Sequence, residues 1–207
     1  MTSRTSRIST TVPDAKLTRS GTYTAMVKGD PGSRTTFLVS RGWAPLYDAQ
    51  LATWPRCSTI SWRYDSSGAP AGGERGMVDD LRATFARYAE LTGLRFIEGG
   101  SDIDIVIGWA DLPDGTNAEA GAALVSQTLS DGSLRLSRDA ERPRVPGFAS
   151  GGRGVTLLHE IGHVLGLGHV KDRTQLMYPV HSAGSPLAPQ RGDIAGITDL
   201  YAPSSCR

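Results

Sequence analysis

Three of the chain's four histidines fall within one short run, His159-Glu160-Ile161-Gly162-His163-Val164-Leu165-Gly166-Leu167-Gly168-His169. His159 and His163 stand four apart, one turn along one face of a helix. That spacing lets two imidazoles bind one zinc ion. Glu160 adjoins the first ligand, where its carboxylate reaches a metal-activated water. Gly166 permits a sharp end to the helix, and the chain then swings back to offer His169 as the third ligand. Three neutral imidazoles leave the zinc its full charge and an open fourth position, where water becomes more acidic. The chemistry this predicts is hydrolysis, with Glu160 as general base that then returns the proton to the leaving amine. A bare HExxH arises by chance on any helix. The added glycines and third histidine are far rarer, and a cluster of merely satisfied core histidines would not concentrate them so.

These residues need elements to hold them. The pattern predicts a helix over 155–165, with Leu158, Ile161 and Leu165 on its apolar face. An earlier helix spans 74–91 with Val78, Leu81, Phe85 and Tyr88 inward, stopped at Thr92-Gly93. A last helix spans 189–201, with Ile194, Ile197, Leu200 and Tyr201 inward. Strands are expected at 22–27, 35–39, 58–64, 94–97 and 103–107, the last with Ile103, Ile105 and Ile107 on one face. A hairpin is expected over 122–129 and 133–137, turning at Ser130-Asp131-Gly132. The order argues for an α+β fold, a mixed sheet with three main helices packed on it.

The 207 residues suit one globular domain with an appendage. The division expected is a disordered tail at 1–18, an N-terminal extension at 19–50 (propeptide, linker or accessory strands) and a catalytic domain at 51–207. A formal net charge of +1 gives no basic excess to attract nucleic acid, and no apolar run is long enough for a transmembrane segment. The polar first twenty residues lack the apolar stretch of a signal peptide. The two cysteines, Cys57 and Cys206, form no CxxC motif. They are read as a disulfide, with two free thiols as the alternative.

The segment from His159 to His169 resembles the zinc signature of the metzincin metallopeptidases, and within them the matrixins. Leu176-Met177-Tyr178-Pro179 is similar to the matrixin Met-turn, and 192–201 to the closing helix. The resemblance implies a metzincin-like twisted mixed sheet, with the active-site helix followed by the Met-turn and the C-terminal helix. It places Met177 as a floor beneath the histidines and Asp193 in hydrogen bonds near the Met-turn. It implies one catalytic Zn2+. No histidine precedes His159, so a second, structural zinc site is not expected. Ca2+ is conceivable from Asp131, Asp139 and Glu141, but their spacing does not support it. Pro55-Arg56-Cys57 resembles the matrixin cysteine switch, yet Ser58-Thr59-Ile60 does not continue that motif.

Within this picture a protein or peptide substrate pairs with the edge of the sheet. Residues 121–126, including Ala123, Leu124 and Val125, are the expected edge. The pocket wall falls at 179–186, with Pro179, Val180 and His181; His181 is read as a solvated loop histidine in preference to a substrate contact. The function expected is a monomeric, secreted or extracellular zinc endopeptidase. The alternatives are a silent zinc-binding or adhesive module and a zinc hydrolase of a non-peptide cell-wall amide.

Overall fold

The computed structural model describes residues 21–26, 34–39, 43–46, 51–182 and 184–201. The expected tail at 1–18 and Cys206 lie outside them. The chain forms two compact units, Met1–Arg41 and Gly42–Arg207. In the first, strands β1 (Gly21–Met26) and β2 (Arg34–Val39) pair antiparallel, with Gly21 opposite Val39 and Met26 opposite Arg34.

The second unit begins with a two-residue strand, β3 (Ala44–Pro45), upstream of the expected start at residue 51. It continues through β4 (Thr59–Tyr64), α1 (Met77–Thr92), β5 (Arg95–Glu98), β6 (Ile105–Ala110), β7 (Ala118–Val125) and β8 (Thr128–Ser137). Helix α2 (Arg153–Val164), strand β9 (Leu167–Gly168) and helix α3 (Arg191–Tyr201) follow. Five strands form one sheet in the order β5-β4-β6-β8-β7. The first four run parallel, and β7 runs antiparallel along one edge. Helix α2 lies against β7 and β8; α1 lies beside α2 and against β5, and α3 packs on α1. The fold is the mixed α+β architecture expected.

Burial follows the strand period. Ile105 and Ile107 face the core with Leu134 and Leu136 of β8, while Val106 between them is exposed. The third core position of β6 belongs to Trp109; Ile103 precedes the strand. In α1, Leu81, Phe85 and Tyr88 are buried as the helical spacing predicts. In α3, Ile197, Leu200 and Tyr201 point inward, but Ile194 is exposed.

The β7–β8 hairpin turns earlier in the chain than expected. Its two-residue loop is Ser126-Gln127, with φ of 49° and 70°. Two successive positive φ values give the turn whose twist matches paired strands. Ser130-Asp131-Gly132 lies inside β8 and marks a bulge. Gly121 pairs with Ser133 and Ala123 with Ser130, so Asp131 and Gly132 together face Ala122. The glycine answers to packing: a Cβ on Gly132 would lie 2.9 Å from Ile105 and 3.0 Å from Val164 of α2.

Candidate metal centre

Every residue of α2 is buried, including the two histidines and the glutamate it carries. The helix begins at Arg153, whose guanidinium is wholly enclosed. Its Nε–H donates to Asp80 Oδ2 at 2.6 Å, and its other nitrogens donate to the carbonyls of Gly73, Pro143 and Arg75. Asp80, from α1, also accepts from the Gly147 amide at 2.9 Å. This clamp fixes the entry of the helix, and no sequence motif announced it.

The exit is fixed at Gly166, with φ of 100°. A side chain there would be strained by that conformation and would meet the Ala52 carbonyl at 2.7 Å. The turn brings His169 back beside α2. The three Nε2 atoms of His159, His163 and His169 then lie 3.1–3.2 Å from one another. Tetrahedral bonds to zinc at about 2.05 Å would set ligand nitrogens about 3.3 Å apart. Among the described residues, these histidines are the only group of three or more His, Cys, Asp or Glu whose ligand atoms gather closely enough for a metal ion. Asp131 sits in the β8 bulge, whereas Asp139 and Glu141 line a separate cavity of about 720 Å3. Among the described residues these three acids do not gather as a group that could hold a metal ion.

The other ring nitrogens explain the convergence. His159 Nδ1–H donates to the Leu176 carbonyl at 2.8 Å, and His163 Nδ1–H donates to the Leu167 carbonyl at 2.7 Å. A carbonyl only accepts, so each bond fixes the tautomer that leaves Nε2 with a free lone pair. Burial, joined by the neighbouring His163, depresses His159 to about 3; burial depresses His163 to about 4 and lowers His169. Neutral imidazoles with converging lone pairs are the donor set zinc requires.

These depressions predict how the metal-free protein responds to acid. Unfolded histidine takes up its proton near pH 6.5, whereas folded His159 and His163 resist until far lower. Stability is fully present above pH 6.5 and is lost as pH falls from there toward 4. Each histidine contributes a slope of up to about 1.4 kcal/mol per pH unit. Urea midpoints measured from pH 7.5 to 4.5 in chelator should fall accordingly. A stoichiometric zinc load should flatten the curve over the pH range where the ion stays bound.

Met177 is buried, with its side chain against Gly162 of α2. A Cβ on Gly162 would come within 2.7 Å of the Met177 sulfur and 3.1 Å of the Tyr88 hydroxyl, so the glycine between the histidines makes room for both. Asp193 holds the same segment from α3. Its carboxylate accepts from the amides of Leu176 at 2.8 Å, Met177 at 3.1 Å and Gln190 at 2.7 Å. The Leu176 carbonyl that orients His159 is thereby itself fixed.

A cleft of about 330 Å3 opens over the histidines. Glu160 lines it, buried, and burial together with the Glu119 carboxylate pushes its carboxyl up to about 8. One wall is the start of β7, Ala118 to Ala120. Ala123, Leu124 and Val125 lie beyond the bulge and do not line the cleft, so the strand contributes an earlier stretch than expected. Pro179 and His181 also line the cleft, and Val180 is exposed outside it. His181 is no solvated loop residue. It is half-buried, and its Nε2–H shares the Leu176 carbonyl with His159, at 2.9 Å.

The sequence profile of the matrixin family matches residues 53–202. The chain belongs to the matrixins. This matrixin is 32% identical over 196 aligned residues to metalloendoproteinase 2-MMP of Arabidopsis thaliana, covering 82% of the chain and 50% of that protein. It is 28% identical over 163 residues to the hatching enzyme of Paracentrotus lividus, covering 74% of the chain and 27% of that protein. Metalloendoproteinase 5-MMP of Arabidopsis thaliana is 29% identical over 148 residues, covering 62% of the chain and 41% of that protein. The chain thus spans half or less of the length of these curated relatives. None of its described helices is long and apolar enough to cross a membrane.

Proposed function

We propose that this matrixin is a zinc-dependent endopeptidase. The observation that carries the reading is the convergence of three Nε2 atoms in a cleft lined also by a buried carboxyl group and by Ala118 to Ala120 of the sheet's last strand. His159, His163 and His169 would hold the ion. When bound, zinc supplies a Lewis acid that polarises the scissile carbonyl and eases deprotonation of water. Glu160 takes the proton from the attacking water and passes it to the leaving amine nitrogen, so peptide and water become acid and amine. With a dication held by the histidines, the Glu160 carboxyl would release its proton more readily and be ready to act as a base.

Strand β7 is the sheet's edge, and an extended peptide adds to such an edge through main-chain hydrogen bonds. The register of that pairing falls at Ala118 to Ala120, where the strand borders the histidines. His181 and Pro179 also border the cleft that takes the substrate. An extracellular protein with Cys57 bonded to Cys206 agrees with this reading; Cys57 sits exposed in the turn before β4.

Metal removal tests the proposal. Casein hydrolysis should disappear in excess chelator and return with one equivalent of zinc per chain. A zinc-loaded chain that leaves casein and unfolded peptides intact would overturn it, and hydrolysis of cell-wall amides alone would reassign the substrate.

A further inference from the structure

The turn that delivers His169 is met from outside by a segment far away in sequence. Strand β3 pairs antiparallel with β9, setting Ala44 opposite Gly168 and Pro45 opposite Leu167. The next amide, of Leu46, donates to the Gly166 carbonyl at 2.7 Å. Residues 166–168 are therefore each engaged by the backbone of 44–46. The same stretch serves a second ligand, because the Leu167 carbonyl orients His163. Contact is close: a Cβ on Gly168 would lie 2.5 Å from the Pro45 carbonyl oxygen.

The segment has its own anchor. Trp43 is buried, and its indole N–H donates to Asp199 Oδ2 of α3 at 3.1 Å. A Cβ on Gly196 would come within 2.8 Å of the Trp43 side chain, so the glycine admits the tryptophan against the helix. Residues 43–46 thus run as a strap from α3 to the metal turn. His169 is the exposed member of the trio and has no helix of its own to hold it.

We infer that residues 43–46 position His163 and His169, and that the working metal centre begins at Trp43 instead of within the catalytic stretch alone. The inference rests on the zinc reading above. Groups that orient ligands from behind typically govern metal affinity 10–100-fold. It follows that proteolytic trimming compatible with function cuts before Trp43, and that a cut between Leu46 and Leu51 loosens the metal.

The test uses the full chain with Trp43→Ala, Trp43→Phe and Gly168→Ala. Gly168 lies outside the left-handed region, so alanine there acts through the Pro45 contact and not through backbone strain. Release of zinc to a chromophoric chelator should be about 10–100-fold faster in Trp43→Ala and Gly168→Ala. The visible absorption of the cobalt-substituted protein should shift in both, and Trp43→Phe should restore much of each property. Should Trp43→Ala not fold, the other two variants decide. Wild-type release rates and unaltered cobalt bands in the folded variants would overturn the strap's role while leaving the metal site standing. A wild-type chain that takes up no zinc would overturn the metal reading itself, and the inference with it.

Discussion

Glu160→Gln should lower turnover of a peptide substrate by about 10^2–10^4-fold while one zinc per chain is retained. The amide matches the carboxyl in size but has no basic oxygen to take a proton from water. The metal would have no stake in the change, since on this reading its donors are the three histidines. The fold has little stake either. In the metal-free protein the Glu160 carboxyl is shifted to about 8, so near pH 7 one neutral group replaces another. Zinc content by atomic absorption, thermal unfolding and kcat should be read together. Unchanged turnover would remove Glu160 from the chemistry, and loss of zinc would show that it acts as a support.

Asp80→Ala should cost about 3–5 kcal/mol of stability, the usual penalty for stripping the partner from a buried charge. Arg153 is fully enclosed, so its guanidinium would face the core with only carbonyls around it. The Gly147 amide would lose its acceptor at the same time. A paired replacement, Asp80→Leu with Arg153→Met, removes the stranded charge but also strips the Gly73, Pro143 and Arg75 carbonyls of their donor, so it should recover only part of the loss. Urea unfolding of the single and double variants checks both statements. A single variant within 1 kcal/mol of wild type would show that the clamp does not hold the helix.

The histidine trio was legible in the sequence because a single ion and a single helix would dictate such residue types at such spacing. His159, Glu160, His163, Gly166 and His169 stand in a single run, and Asp193 and Met177 follow at a distance that resemblance supplies. The supports were less visible because their partners come from remote chain. Arg153 meets Asp80 across 73 residues, and Trp43 meets Asp199 across 156. No local period connects such pairs. The hairpin was misplaced for a related reason. Asp131-Gly132 carries turn chemistry, but α2 packed over Gly132 makes it a bulge, and Ser126-Gln127 turns without a glycine. His181 was misjudged because nothing in its neighbours indicates that its ring folds back onto Leu176.

At Ala118 to Ala120 the outer side of β7 meets no other strand among the described residues, and that carries a cost unrelated to catalysis. A strand that keeps its amides and carbonyls available to one extended chain offers them to any other, including a copy of itself. The bulge opposite Ala122 interrupts the regular ladder midway, and the exposed Glu119–Arg135 ion pair stands on the stretch before it. Together they break the regularity of that edge and set charge beside it. Concentrated protein should therefore resist stacking into fibrils through this edge for as long as that kink is kept.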